Sequence, residues 1–168
     1  GAAAKVVELA RRGGETIHLS ADRHGRGEGG EALIPTLREA HRGLVEAGLR
    51  EQVTLLASGG IAAAEHVPKS IILGADAVVV DLPPLIAMEC RLCGACARGE
   101  ACPRRLDDVD PRWGATRIIN LMVAWRDQLL EVLGAMGLRD VRRLRGEVGR
   151  AIFADEARAD FLSRLARL

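Results

Sequence analysis

Val53-Thr54-Leu55-Leu56-Ala57-Ser58-Gly59-Gly60 decides how the rest of this 168-residue chain is read. The apolar and β-branched run over 53–57 suits a short buried strand, and a glycine pair at a strand's end can turn its backbone amides toward an anion. The blander reading of Gly59-Gly60 is a tight turn. Outward from this stretch, Thr16–Ala21 and Ala77–Asp81 have the same strand character. Segments of helical period separate them: Ala32–Ala47 places Leu33, Leu37, Ala40 and Leu44 on one stripe, and Glu65–Leu73 groups Val67, Ile71 and Ile72. Strand followed by helix three times implies parallel pairing through right-handed crossovers, in an α/β sheet covered on both faces. Three units are too few to close a (β/α)8 TIM barrel, which runs to about 250 residues, so the expectation is the last three units of one.

The flanks extend this reading. Gly1 to Ala10 has an amphipathic pattern, with Val6, Val7, Leu9 and Ala10 on its apolar side, and no initiator Met, so the chain is expected to be a piece of a longer protein. Beyond the third strand come a cysteine-rich loop from Cys90 to Pro103 and a polar stretch over 107–111. Ile118, Leu121, Trp125, Leu129 and Val132 then recur at three- and four-residue steps, on a helix that Gly134 or Gly137 would close. Val141–Gly149 and Asp155–Leu168 read as two more helices. The expected division is 1–89 barrel, 90–112 cluster loop, and 113–168 a helical extension packing on the barrel.

Composition narrows the function. Lys plus Arg number 24 against 23 Asp plus Glu, and there are two Trp, two Phe and no Tyr. That combination offers neither a polyanion-binding field nor stacking platforms for single-stranded nucleic acid. No apolar run approaches the roughly 20 residues needed to cross a bilayer, and the start lacks a basic leader, so a cytoplasmic location without membrane contact is expected.

All four cysteines fall in one run, Cys90-x2-Cys93-x2-Cys96-x5-Cys102, followed by Pro103. Three thiolates at two-residue spacing with a later Cys-Pro echo the ferredoxin run that wraps an iron–sulfur cube, and Gly94 and Gly99 let the backbone bend close to sulfide. Zinc is the chief alternative, although zinc knuckles usually split their ligands into two separated pairs. Disulfides suit a secreted chain, and nothing marks this one as secreted.

Two loops are candidates for the rest of a site. Ser58, Gly59 and Gly60 at the end of the second strand, with Asp81 and Leu82 ahead of a Pro83-Pro84 turn, would lie side by side as a phosphate cradle, where barrels hold phosphate after strands seven and eight. Asp22-Arg23-His24-Gly25-Arg26-Gly27-Glu28-Gly29-Gly30 follows the first strand, with glycine at four of nine positions. Within it His24 is a candidate acid or base, Arg26 a carboxylate clamp and Asp22 a neighbour bordering the same space. The competing reading is an idle, solvated histidine.

These pieces resemble the FMN- and iron–sulfur-containing synthase domain of the glutamate synthases over about residues 16 to 150. Asp22 through Gly29 is similar to the family's loop Asp-Gly-x-Glu-Gly-Gly-Thr-Gly after strand six. Ala47-Gly48-Leu49-Arg50 resembles the approach to strand seven. Ser58-Gly59-Gly60-Ile61 and Leu73-Gly74-Ala75-Asp76-Ala77 resemble the FMN-phosphate loop and strand eight, and Met88-Glu89-Cys90 the entry to the cluster. The helix with Asn120 and Trp125-Arg126-Asp127-Gln128 resembles the family's helix after the cluster, and Arg142–Gly149 its Gly-Arg closing segment.

The resemblance implies an oxidoreductase with FMN and an iron–sulfur cluster. Electrons would enter through the cluster, reach FMN and leave as hydride to an imine of 2-oxoglutarate and ammonia, giving glutamate. Implied partners are these small molecules, an electron-donor protein, and a glutaminase supplying glutamine-derived ammonia. The family's three cysteines follow Cys-x5-Cys-x4-Cys-Pro around a three-iron cluster. Cys90 and Cys96 keep the first spacing, Cys102 falls one residue late and Cys93 is additional, so a 4Fe-4S cluster on Cys90, Cys93, Cys96 and Cys102 is expected. Arg23, Arg26 and Glu28 replace two glycines and the threonine of the family loop, which changes charge where a 2-oxoglutarate-like substrate would lie. The rival from another class is a non-catalytic flavin and iron–sulfur relay in a larger redox complex.

Overall fold

A computed structural model describes residues 1–149. Five α-helices and three strands follow one another as α1 (Ala2–Arg11), β1 (Thr16–Ser20), α2 (Leu33–Glu46), β2 (Thr54–Ser58), α3 (His66–Ile72), β3 (Ala77–Val79), α4 (Leu82–Ala87) and α5 (Pro111–Ala135). The strands form one parallel sheet in the order β1-β2-β3, with Ser20 beside Ser58 and Ser58 beside Val79. That register sets the carboxyl ends of all three strands level, so the loops after them share one edge.

The core forms where sequence period and sheet face coincide. Leu33, Leu37, Ala40 and Leu44 are all buried on α2, against Val6 and Ala10 of α1, Ile17 and Leu19 of β1, and Leu55 and Ala57 of β2. A second cluster joins Ile71 and Ile72 of α3 to Leu133, Leu138 and Leu144, with Val67 and Leu129 at its margin. Removing these side chains from water is the main favourable term holding the layers together.

The structure departs from the sequence-based expectations in four places. The sheet is covered on one face only among the described residues: Thr16, His18 and Ser20 are exposed while Ile17 and Leu19 are buried, and Ala77 and Val79 of β3 are exposed. β3 ends at Val79, because Asp81 turns to cap α4 by accepting from the Leu82 amide at 2.7 Å. Pro83 and Pro84 therefore open a helix instead of making a turn, since first-turn positions need no intrahelical N–H donor. Val141–Gly149 is not a helix: a single 3-10 turn covers Val141–Leu144, and Gly146 then takes φ +75°. The expected helix at Asp155–Leu168 lies outside the described residues.

Helix α5 begins earlier than its apolar stripe suggests, at an Asp110 cap that accepts from the Arg112 amide at 3.0 Å, with Pro111 in first position. Gly137, at φ +66°, follows its end. Of the expected stripe, Ile118, Leu121, Trp125, Leu129 and Val132 are all half-buried, so the helix is partly covered along its length and seated at its ends by buried Gly114 and Leu133.

Candidate functional site

The loop after β1 is an ordered turn built on Asp22. Its Oδ1 accepts from the His24 amide at 2.8 Å and the Arg26 amide at 2.9 Å, while its own N–H donates to the Arg26 carbonyl at 2.8 Å. The amides of Arg26 and His24 hold the Asp22 carboxyl below the ordinary carboxylate range. Arg26 Nη1 donates to the Gly30 carbonyl at 3.1 Å, and Arg23 Nε donates to His24 Nε2 at 3.1 Å. Asp22 thus organises the loop, while His24 and Arg26 sit on its two sides.

The glycine pair packs directly against that turn. Gly59 has φ +97°, and a Cβ there would lie 2.2 Å from the Ala21 carbonyl oxygen and 2.7 Å from that of Asp22. Gly60 has φ +69°, with Gly25 Cα 2.9 Å from where its Cβ would be. Only glycine combines these dihedrals with this approach of two backbones. Neither the Gly59 nor the Gly60 amide donates a backbone hydrogen bond among the described residues. The register of β2 and β3 ends at Ser58 beside Val79, two residues before Asp81, whose carboxylate accepts from the Leu82 amide.

Ser58 is 8% exposed and ties two strands together: its Oγ and His18 Nε2 share a 2.8 Å hydrogen bond, and it donates to Ser20 Oγ at 3.5 Å. His18 and Ser20 face an open cleft of about 870 Å³ that also receives Asp22, Arg26 and Glu28. Neither His18 nor Ser20 is among the site residues expected from sequence. The signal for them is the alternation of Thr16, His18 and Ser20 with Ile17 and Leu19, which puts a polar row on one face of β1.

The cysteine loop is clasped at its base. Glu89, at φ +66°, pairs with Arg104 from the far end of the loop and with Arg117 of α5 at 3.8 Å, and Arg117 Nε donates to the Ala87 carbonyl at 2.7 Å. Between these anchors, Cys90 Sγ accepts from the Leu92 amide at 3.4 Å, and Arg98 Nη1 donates to the Cys93 carbonyl at 3.2 Å. Leu92, Gly94 and Gly99 take positive φ, winding the chain tightly. The Glu100 carboxylate holds the Arg98 guanidinium above its ordinary range, and the nearby Cys93 and Cys96 sulfurs reinforce it. All four thiols are free of disulfides. Among the described residues no three metal-ligating side chains converge on one point. The donor set itself, four thiols on a loop with closed ends and an N–H to sulfur bond, suits a soft-metal cluster.

Comparison with known proteins finds relatives of one family. The family described as the conserved region in glutamate synthase matches residues 16–139. The archaeal glutamate synthase (NADPH) of Methanocaldococcus jannaschii is 40% identical over 110 residues, covering 61% of this chain and 22% of that protein. The corresponding protein of Archaeoglobus fulgidus is 33% identical over 159 residues, covering 86% of this chain and 31% of its own length. The chain therefore spans less than a third of these curated relatives. Among solved structures, the recombinant flavin-binding domain of baker's yeast flavocytochrome b2 superposes with a TM-score of 0.61 at 21% identity, over 86% of this chain and 31% of that one. At that identity the likeness concerns the fold alone, and it makes the three units part of a TIM barrel.

Proposed function

This chain belongs to the glutamate synthase family, and from that membership we propose that it forms the FMN-phosphate and iron–sulfur end of a barrel that reductively aminates 2-oxoglutarate to glutamate. The observation that carries this reading is the Gly59-Gly60 step, held open in positive φ against Ala21 and Gly25 with both amides undonated to backbone, at the edge where a barrel binds phosphate. FMN, when bound, supplies hydride transfer to the substrate imine, and the cluster supplies electrons to it.

This chain's own residues would divide the binding and positioning between them. Gly59 and Gly60 would donate to the phosphate, with Ser58 fixing the strand end through His18 and with Asp81 and Leu82 flanking the cradle. Arg26, on the cleft wall, would attract a substrate carboxylate, and His24 would move a proton at the loop's edge. Asp22 would hold both in place through the two amides it accepts from. Cys90, Cys93, Cys96 and Cys102 would bind the cluster, on a loop whose two ends the Glu89–Arg104 pair ties. Ammonia from a glutaminase and electrons from a donor protein are the partners that this activity requires.

The test is reoxidation of anaerobically reduced full-length protein loaded with FMN and iron. Faster return of the flavin absorbance on addition of 2-oxoglutarate with ammonia is expected. A rate that neither compound changes would favour the electron relay instead, a reading supported by the engagement of Asp22 Oδ1 with its own loop.

A further inference from the structure

The middle of the cysteine loop is wound around one carbonyl. Buried Ala95 accepts from the Arg98 amide at 3.0 Å and from the Glu100 amide at 2.9 Å, and the Gly99 amide donates to the Cys96 carbonyl at 3.1 Å. This turn, with Gly99 at φ +72°, brings the exposed side chains of Arg98 and Glu100 together.

Each guanidinium nitrogen of Arg98 has an acceptor. Nε and Nη2 donate to the two Glu100 oxygens at 2.7 and 2.8 Å, and Nη1 reaches back five residues to the Cys93 carbonyl at 3.2 Å. Nη1 also lies 3.3 Å from where a Cβ on Gly94 would stand, so the group covers the Cys93–Gly94 turn, where Gly94 takes φ +72°. An exposed ion pair on its own contributes little to stability. Here the pair aims a rigid fork of donors at the backbone between two candidate ligands, Cys93 and Cys96, and sets a positive charge beside them with the Glu100 carboxylate on a different edge of the group.

We propose that Arg98 is the positioning residue for the Cys93-x2-Cys96 half of the cluster site: it staples the turn between the two sulfurs and, by its charge, raises the potential at which a cluster held there accepts one electron. The inference rests on the cluster reading given above and concerns what tunes that cluster. An added electron makes a thiolate-ligated cluster more negative, and a nearby cation favours the reduced form. Reach and charge are separable at this position. Lysine keeps the charge, but a compact ammonium has no rigid fork with which to hold both Glu100 oxygens and the Cys93 carbonyl.

The experiment is an anaerobic redox titration with dithionite, followed by visible absorbance, of full-length protein reconstituted with iron and sulfide. The rate of iron loss to a chelator is measured on the same samples. At the wild-type midpoint, Arg98→Gln should lower the ratio of reduced to oxidised cluster about threefold, the size expected of one solvent-exposed charge several ångström away. It should also release iron faster. Arg98→Lys should keep the wild-type midpoint and still release iron faster. Arg12→Gln, which removes another exposed, paired arginine next to the end of α1, should change neither. Should Arg98→Gln assemble no cluster, the midpoint and release rate of Arg98→Lys decide alone. An unshifted midpoint in Arg98→Gln, an equal shift in Arg98→Lys, or unchanged iron release in both would each overturn the inference while the cluster stands. Zinc or no metal in the wild type would overturn the cluster reading and this inference with it.

Discussion

Arg145 and Asp76, 69 positions apart in the chain, form a 2.6 Å ion pair that straps the last described segment across the amino-terminal edge of the sheet. Asp76 Oδ2 meanwhile accepts from Arg50 Nη2 and from the Leu55 amide, each at 2.7 Å. Arg50 is 4% exposed and completes its donors on the Val53 and Gly74 carbonyls and on His41 Nδ1. Arg145 reaches onward to Glu51 at 2.6 Å. This network lies at the opposite end of the strands from the glycine pair, so it supports the site without touching it.

Removing the central carboxylate leaves a buried guanidinium without its counter-charge. Asp76→Asn should lower unfolding free energy by about 3 kcal/mol in urea titration, in keeping with the cost of breaking a buried pair by deleting one partner. A loss below about 1 kcal/mol, the size of an exposed pair, would show that Arg50 is not held as described.

His41 should make stability fall on acidification. Burial, then the charges of Arg50 and Arg145, hold its pKa below the ordinary 6.5, against the weaker opposing pull of Asp76 and Glu51. The unfolded chain therefore takes up this proton first. The contribution is complete above pH 6.5 and declines as pH falls toward the folded-state pKa. Subtracting the profile of His41→Gln from that of the wild type, by thermal melts from about pH 7.5 down to about pH 5, should isolate a component with that sign. A flat difference would contradict it.

Gly59→Ala should be far more damaging than an ordinary loop substitution. Its Cβ would meet the Ala21 carbonyl oxygen at 2.2 Å, a backbone atom that cannot swing aside as a side chain does. A destabilisation of about 3 kcal/mol or more is expected from combined strain and clash, with flavin retention reduced in whatever remains folded. Wild-type melting and wild-type flavin content in this variant would show that the two loops do not pack this closely.

Among the thiols, Cys93 separates cluster types. If four sulfurs bind a cubane, Cys93→Ser should lower iron per chain by about one atom in anaerobically reconstituted full-length protein, whereas Cys96→Ser should lose most of the iron. Unchanged iron in Cys96→Ser would refute the ligand assignment, and zinc in place of iron would refute the cluster itself.

Much of the fold is legible in the residues. The buried stripe on α2 and the three strand cores are local patterns: a period of 3.6 or 2 marks which side chains can share a face, whatever they later touch. Where a local signal competes with capping or with a distant partner, the pattern misleads. Asp81 has the look of a strand end and is a helix cap. Val141–Gly149 has a helical pattern, yet Arg145 is drawn to Asp76 and the Gly146 amide to the Ile72 carbonyl at 3.0 Å.

By itself, the order of residues determined that strands and helices alternate, that four thiols crowd into one loop, and that glycine stands where a backbone must approach closely. Tertiary structure alone decided that Gly59 lies under Ala21, that His18 meets Ser58, and that Arg50, Asp76 and Arg145 converge. The physical reason is distance along the chain. Periodicity reports which face a side chain presents, whereas a hydrogen bond between groups tens of residues apart exists only once packing has set their separation, and no local pattern encodes that separation.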